Sequence, residues 1–234
     1  GAYKIKVVGV DGLLYDVKSV DESDSDAAKR AALKLMIDNA DEIVRFIDYD
    51  GCRVGYYNPI YTAGIELLLV KARGVYNKSL SEEYDIFIDK LVAEMNVLKE
   101  LGDAAVINVI DGDAYQFENK LHSGNRMYLA ANNEVDGTLY PPTGTDRWIL
   151  EYSGNGAGYY IKNKKNGLYV DEMTSYSQQV YADEKSRSTA DVYTLNLTAD
   201  RTVSLAGKSY LLHLDAWMNV VGWFSNADAS YWFA

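Results

Sequence analysis

Residues 159–171 read Tyr-Tyr-Ile-Lys-Asn-Lys-Lys-Asn-Gly-Leu-Tyr-Val-Asp, two apolar runs on either side of the turn signal Asn166-Gly167. This pattern predicts a β-hairpin. The Tyr169-Val170 step recurs 41 residues earlier as Tyr128-Leu129 and 41 residues later as Tyr210-Leu211. Because a fixed period indicates a repeated structural unit, we interpret the C-terminal part of the chain as three copies of one repeat.

Each repeat contains four strand-like runs with alternating apolar residues. The runs are 114–120, 127–131, 138–140 and 147–152, then 158–162, 168–171, 179–182 and 192–197, and finally 202–206, 210–214, 219–223 and 231–233. Four short strands, three times over, predict a β-trefoil across residues 104–234. Positions related by the same interval include Leu139, Val180 and Val221. The residues expected to fill the trefoil core are the large aromatics of the closing strands, Trp148, Tyr193 and Trp232.

The first 20 residues predict a separate β-hairpin, since Tyr3, Ile5 and Val7 alternate with lysines and Asp11-Gly12 supplies a two-residue turn. A lone hairpin is marginally stable in water, so we expect it to pack on another element. The acidic run 21–26 is expected to be a linker that ends at a helix N-terminus. It lacks the Gly and Glu spacing of an EF-hand calcium loop.

Three amphipathic helices are predicted between residues 26 and 102, and they should form a bundle because none can bury its apolar face alone. The expected core stripes are Leu33, Ile37, Ala40, Val44 and Ile47, then Ile60, Ala63, Leu67 and Val70, then Tyr84, Phe87, Leu91, Met95, Leu98 and Leu101. Asn58-Pro59 should open the second helix. Ser79 and Glu82 match a capping box for the third helix, and Gly102 its C-cap.

This helical region resembles the FIVAR-type modules of bacterial extracellular and cell-wall-attached proteins. The matching pieces are residues 30–41, 61–77 and 81–101, while the loop 51–57 departs from the pattern. The resemblance implies a secreted bacterial protein with an extracellular or cell-surface location. Since the chain starts at Gly1-Ala2, we expect that a signal segment has been removed.

The three repeats resemble those of ricin-type lectins and related trefoil families, and residues 159–171 are the best-matching piece. The resemblance implies carbohydrate binding through an Asp that follows the start of the second strand. The Gln-x-Trp signature of ricin-type repeats is absent, because Asp146 stands two residues before Trp148 and Asp191 two before Tyr193.

Sugars are bound by an aromatic face together with polar side chains that hydrogen-bond to hydroxyl groups. The candidate ligand-binding residues are Asp171, Tyr176, Asp215, Trp217 and Asn219. In this hypothesis the two aspartates accept sugar hydroxyls while Tyr176 and Trp217 stack on the ring. Trp223 is a candidate for the same surface or for the core.

Composition and the absence of several motifs argue against some classes of function. The net charge of −11, without a Lys/Arg-rich stripe, argues against a nucleic-acid partner, and no apolar run is long enough to predict membrane insertion. Cys52 is the only cysteine, so no intrachain disulfide can form. No HExxH, GxSxG or P-loop motif is present. Of the two histidines, His122 is expected in an exposed turn and His213 packed in a strand.

We therefore predict an α+β protein, with a β-hairpin and three-helix bundle over residues 1–103 and an all-β trefoil over residues 104–234. Its predicted function is non-catalytic, extracytoplasmic recognition of a glycan or polysaccharide, without cofactor or metal. Two alternatives remain. The chain could be a protein–protein interaction or scaffold module, which an exposed apolar stripe on the bundle together with only polar trefoil loops would favour, or an accessory part of a larger secreted enzyme. A pair of carboxylates suited to glycoside hydrolysis would support an enzyme.

Overall fold

A computed structural model describes residues 6–8, 14–16, 25–154 and 158–234. The chain divides into two compact units. One combines Gly1–Gly51 with Tyr56–Ile107, and the other combines Cys52–Gly55 with Asn108–Ala234. We call them the helical unit and the trefoil unit. The predicted α+β architecture is confirmed, while the boundary between residues 103 and 104 stays a prediction.

The helical unit begins with strands β1 (Lys6–Val8) and β2 (Leu14–Asp16), which pair antiparallel as the hairpin prediction requires. The predicted turn at Asp11-Gly12 and residues 21–24 of the acidic run lie outside the described residues. Three helices follow, α1 (Ser25–Arg45), α2 (Pro59–Lys78) and α3 (Tyr84–Leu101). Across the part of the chain that the structure describes, no helix is both long and apolar enough to span a membrane.

The three helices pack around one apolar core. Most of the predicted α1 and α3 stripes are confirmed, because Leu33, Ile37 and Ala40 of α1 are buried together with four α3 residues. The α3 residues are Tyr84, Phe87, Leu91 and Leu98. Helices with one apolar face reach a stable structure by burying that face against each other.

The predicted core stripe of α2 is wrong. Ile60, Leu67 and Val70 are 74%, 58% and 69% exposed, and Ala63 is exposed as well. The face of α2 that enters the core is instead Thr62, Ile65, Leu69, Ala72 and Val75. Both faces repeat at intervals of three and four residues, so α2 carries one buried and one exposed apolar row.

The helix ends confirm one predicted cap and correct another. Asn58 caps α2, with its side-chain oxygen accepting a hydrogen bond from the Ile60 backbone N–H at 3.1 Å. The predicted capping box of Ser79 and Glu82 does not form. Ser79 instead ends α2 in the left-handed conformation, with φ of 55°, and a 3₁₀ turn over Ser81–Glu83 leads into α3. Gly102 is the C-cap residue of α3, as predicted, but with φ of 51° and ψ of −124° its backbone lies outside the left-handed helical region.

The trefoil unit contains eleven short strands in the residues described. In chain order they are β3 (Ala114–Tyr115), β4 (Glu118–Asn119), β5 (Arg126–Leu129), β6 (Val135–Thr138), β7 (Trp148–Tyr152), β8 (Tyr159–Asn163), β9 (Thr194–Leu197), β10 (Val203–Ala206), β11 (Leu211–Leu214), β12 (Val220–Trp223) and β13 (Tyr231–Phe233). The predicted runs 168–171 and 179–182 make isolated bridges rather than full strands. Residues 155–157, between the first and second repeats, lie outside the description.

Strand pairing closes a six-stranded barrel. β3 and β4, two pieces of one interrupted strand, pair with β7 and β13 respectively. From β7 the pairing continues to β8, and β8 reaches the strand of β9 through the bridge Tyr159–Tyr193. β9 pairs with β10, and β10 pairs with β13, which completes the circle. The first and last strands of each repeat therefore build the barrel.

The second and third strands of each repeat form hairpins that meet around the threefold axis. β5 pairs with β6, and β11 with β12, while repeat 2 uses the bridge Tyr169–Glu184. Backbone hydrogen bonds join the hairpins, from Val135 N–H to Val180 O and from Val180 N–H to Val220 O, each at 2.9 Å. A barrel capped by three hairpins defines a β-trefoil.

The closing aromatics fill the core, as predicted. Trp148, Tyr193 and Trp232 are fully buried. Each donates to the backbone of its own repeat's second strand: the Trp148 indole to Met127 O at 2.9 Å, the Tyr193 hydroxyl to Asp171 O at 2.7 Å, and the Trp232 indole to Leu212 O at 3.1 Å. The buried N–H or O–H group of each of these three aromatic side chains is thereby hydrogen-bonded.

The structural register corrects the 41-residue alignment. Arg126, Tyr169 and Leu211 occupy equivalent pairing positions, not the tyrosines 128, 169 and 210. The equivalent core valines are Val135, Val180 and Val220, whereas Leu139 is 48% exposed. Loops of unequal length separate the strands, so an exact sequence interval does not mark equivalent positions.

Candidate functional site

Each hairpin has three positions, at or just beneath the surface, that the threefold register makes equivalent. One lies on the second strand, one at the end of the third strand, and one two residues before the closing aromatic. They are Tyr128, Thr138 and Asp146 in repeat 1, Asp171, Glu184 and Asp191 in repeat 2, and His213, Trp223 and Ser230 in repeat 3. The three repeats share a backbone but differ in the chemistry of this surface.

In repeat 1 an ion pair closes this part of the surface. The buried Asp146 carboxylate accepts a hydrogen bond from Arg126 at 2.9 Å and another from the Gln116 amide. Both hydrogen bonds end on Oδ2, and together with the ion pair they hold this buried carboxylate in place. We interpret repeat 1 as structural at this point.

In repeat 2 the corresponding part of the surface is acidic. Carboxylate oxygens of Asp171, Asp183 and Glu184 all lie within 4.8 Å of one another. Burial, followed by the neighbouring Asp183, raises the pKa of Asp171 to about 7. Glu184 also accepts a hydrogen bond from the Thr189 hydroxyl. Among the described residues these three are the group whose oxygens could converge on a cation, but clustered acids by themselves do not define a metal site.

In repeat 3 the corresponding part of the surface is aromatic. The His213 ring stacks on the indole of Trp223, with centroids 4.5 Å apart and an interplanar angle of 13°. Its Nδ1 lies 2.8 Å from the Ser230 hydroxyl. Burial lowers the pKa of His213, only partly offset by Asp215, so the ring is neutral at pH 7. His213 is buried, which confirms the prediction of a packed strand residue.

Trp223 also belongs to an exposed group of three rings, which we call the aromatic cluster. The Tyr176 ring lies 4.6 Å from Trp223 and 4.5 Å from Phe224. Phe224 is 67% exposed and Tyr176 is 43% exposed. The Trp223 indole N–H donates to the Ser225 hydroxyl at 3.0 Å. Large apolar faces beside hydroxyl groups make this the part of the trefoil surface best suited to an amphipathic ligand.

The loop that carries Tyr176 is held against β12. The Ser177 N–H donates to Gly222 O at 2.8 Å, and the Gly222 N–H donates to Gln178 O at 2.9 Å. A Cβ at Gly222 would lie 3.0 Å from the Ser175 carbonyl oxygen, so glycine permits the close approach. The Gln178 side-chain oxygen accepts hydrogen bonds from the N–H groups of Thr174 and Ser175, both at 3.0 Å. Tyr176 is therefore positioned before any ligand arrives.

The structure separates the five predicted site residues. Tyr176 lies in the aromatic cluster, and Asp171 lies in the acidic position of repeat 2. Asp215 accepts hydrogen bonds from the backbone N–H groups of Trp217 and Asn219, both at 2.9 Å, so its carboxylate holds the turn of its own hairpin. The Asn219 amide donates to the same carboxylate at 3.4 Å, and Trp217 is 82% exposed at the turn. Their binding roles stay predictions.

Sequence reasoning missed Phe224, Ser225, His213 and Ser230 as neighbours of Trp223. The signal was present in the pair Trp223-Phe224, where two aromatics follow each other at the end of a strand. Neither ring belongs to the trefoil core: Trp223 ends β12, Phe224 follows it and is 67% exposed, and Tyr176 contacts both. Tyr176 lies in repeat 2, and only the fold brings it to repeat 3.

Comparison with known proteins adds a set of structural similarities. No protein-family model and no curated protein matches the sequence. A ricin B-like lectin from Macrolepiota procera, solved with lactose, is 15% identical with a TM-score of 0.45 and aligns with 53% of this chain and 96% of its own. The Rhizoctonia solani agglutinin is 20% identical with a TM-score of 0.44, over 53% of this chain and 96% of its own.

A third similar structure is the Polyporus squamosus lectin, solved with a sialylated epitope. It is 16% identical with a TM-score of 0.45, and the match covers 54% of this chain and 49% of that chain. At this level of identity the similarity concerns the fold of the C-terminal half. The assignment as a β-trefoil rests on the strand pairing described above.

Proposed function

We propose that the protein is a non-catalytic, extracytoplasmic recognition module whose trefoil unit binds carbohydrate at the aromatic cluster of Tyr176, Trp223 and Phe224. The observation that carries this proposal is the group itself: three contacting rings, two of them substantially exposed, on a preorganised loop and hairpin. Aromatic rings stack on the C–H faces of sugars, and a rigid site loses less entropy on binding.

Polar groups beside the rings supply the hydrogen bonds that a sugar needs. The Ser225 hydroxyl lies at the edge of Trp223, and Thr174 and Ser175 border the loop of Tyr176. The neutral His213 and Ser230 form a polar floor behind Trp223. Since the chain carries a net charge of −11, neutral glycans should bind better than anionic ones.

The test is a glycan-array screen of the whole chain at neutral pH, followed by titration calorimetry with each positive glycan. Trp223→Ala should weaken binding at least about tenfold, which corresponds to roughly 1.4 kcal/mol. Trp217→Ala removes an equally large but turn-exposed ring and serves as the matched control. Circular dichroism and thermal melting of both variants show whether the fold survives.

The same titrations test the remaining predicted residues. Because Asp215 holds its own turn, Asp215→Asn should change affinity less than Trp223→Ala. If Asp171→Asn, in the acidic position of repeat 2, removed binding while Trp223→Ala left it intact, the site would lie in repeat 2. Absence of binding to a broad panel by the folded wild type would contradict the proposal.

A second candidate function is protein–protein interaction through the helical unit. The observation that favours it is the exposed apolar row of α2, with Ile60, Leu67 and Val70 each more than half exposed. Apolar patches of this kind mark interaction sites more often than scattered single residues do. The two functions are compatible, since they use different units of the chain.

A further inference from the structure

The exposed row of α2 has the spacing of a helix–helix seam. Ile60, Ala63, Leu67, Val70 and Gly74 follow at intervals of three, four, three and four residues. This is the a/d spacing of a coiled coil, in which an apolar row packs against another helix rather than against a sheet or a loop. The large members of the row are 58–74% exposed within one chain.

Gly74 gives a second reason to expect a neighbouring helix. Apart from its two chain neighbours and the adjoining backbone of α2, no heavy atom of the described residues lies within 4 Å of the place where a Cβ on Gly74 would stand. A glycine inside a helix costs about 1 kcal/mol relative to alanine, and nothing inside the described chain requires that cost here. Small residues on an exposed row allow the backbone of a packed helix to approach closely.

Along the row the side chain is small at Ala63, large at Leu67 and Val70, and absent at Gly74. We propose that α2 of one copy packs antiparallel on α2 of a second copy of this chain, about a twofold axis near Leu67 and Val70. In that arrangement Leu67 of each copy meets Val70 of the other, and Ala63 meets Gly74. A twofold interface requires such a self-complementary surface.

Charges beside the row fit the same partner. Glu66 and Arg73 lie on one flank, and antiparallel packing brings Glu66 of each copy close to Arg73 of the other. Each also has a contact within the chain, since Tyr49 donates to Glu66 and Arg73 pairs with Asp41. The opposite flank carries Gly64 and Lys71, which meet each other without a like-charge contact. Complementary flanking charges set the pairing and orientation of packed helices.

The first experiment is sedimentation equilibrium of the whole chain from about 1 μM to about 1 mM, a range that detects even weak association. The expected mass rises with concentration from 26.1 kDa towards twice that value. Leu67→Gln with Val70→Gln should abolish the rise. Val92→Gln, on a partly exposed aliphatic residue of α3, should leave it unchanged. Circular dichroism checks that all variants stay folded.

Single-cysteine crosslinking tests the orientation, in a chain that carries Cys52→Ser. Leu67→Cys or Val70→Cys should give a disulfide-linked dimer on oxidation, because both lie near the axis. Ile60→Cys should not, since antiparallel packing separates the two positions by about 25 Å at 1.5 Å per residue. Efficient crosslinking by Ile60→Cys would indicate a parallel pair and overturn the proposal.

Three other results would also overturn it: a monomer at every concentration, a dimer that survives the double Gln substitution, or hydrogen-exchange protection of the row in a monomer. The last result would show that another part of the same chain covers the row. None of these outcomes bears on the glycan titrations, so this proposal and the proposed function can fail separately.

Discussion

Asp171 combines a structural and a chemical role in one residue. Its backbone carbonyl accepts the Tyr193 hydroxyl that closes repeat 2, while its side chain faces Asp183. The buried Oδ1 has no hydrogen-bond partner among the described residues. A carboxyl group in such a place keeps its proton more tightly than one in water, because burial and a second acid both disfavour the charge.

The raised pKa of Asp171, about 7, predicts a pH dependence of stability. Between about pH 4, where an unfolded aspartate loses its proton, and pH 7, the folded state holds a proton that the unfolded chain has released. The free energy of unfolding therefore falls as pH rises through this window. Asp171→Asn cannot titrate, so urea denaturation from pH 4 to 8 should show a flatter curve for the variant.

The control for this prediction is Asp89→Asn, an exposed residue of α3, which should keep the wild-type slope. Burial also raises the pKa values of Asp136 and Asp191, so part of the slope should remain in Asp171→Asn. Parallel curves for wild type and Asp171→Asn would show that Asp171 titrates alike in the folded and unfolded states.

At the scale of elements, α2 depends on its N-cap. The Asn58 side chain satisfies one of the free N–H groups of the first turn, and Pro59 fits the first helical position. Asn58→Ala should lower the free energy of unfolding of the helical unit by about 1 kcal/mol. Chemical denaturation followed by helical circular dichroism measures this. Asn96→Ala, on the exposed surface of α3, is the matched control and should cost nothing.

The loop that carries Tyr176 makes a second prediction at this scale. Gln178 holds the loop through its acceptor contacts to Thr174 and Ser175. Gln178→Ala should leave the fold intact but free Tyr176 to move, so calorimetry should show weaker glycan binding with a larger entropic cost. Unchanged affinity and entropy would mean that the loop is not part of the site.

The α2 helix also shows where sequence reasoning fails. The predicted stripe and the true core face both repeat at intervals of three and four residues, and the true face contains the less apolar Thr62 and Ala72. Periodicity identifies an amphipathic helix, but it cannot choose between two apolar faces. The choice comes from packing against α1 and α3, which the sequence of α2 does not contain.

At the scale of the whole molecule, two separate hydrophobic cores support the two units. One core contains Leu33, Ile65 and Leu91, and the other contains Trp148, Leu205 and Trp232. The strand count and the closing aromatics made the trefoil predictable. The equivalences between its repeats were not predictable, because the turns differ in length and the repeats diverge at the three equivalent hairpin positions.

Separate cores predict separate effects on unfolding. Leu91→Ala and Leu205→Ala each remove a fully buried side chain and should cost about 2–5 kcal/mol in their own unit. Leu91→Ala should shift the transition seen by helical circular dichroism. Leu205→Ala should shift the transition seen by fluorescence of the trefoil tryptophans. A single transition shifted equally by both variants would show that the two units unfold together.

The central claim is that carbohydrate binds at the aromatic cluster, and the four tryptophans provide a direct test. The indole N–H groups of Trp148 and Trp232 donate to buried carbonyls, that of Trp223 donates to Ser225, and Trp217 is exposed at a turn. The measurement is an NMR titration of the four indole resonances, assigned by substitution, with the glycan selected by the array. We predict a saturable shift of the Trp223 resonance while that of Trp217 stays in place. A shift confined to Trp217, or no shift of Trp223 at saturating glycan, would contradict the account.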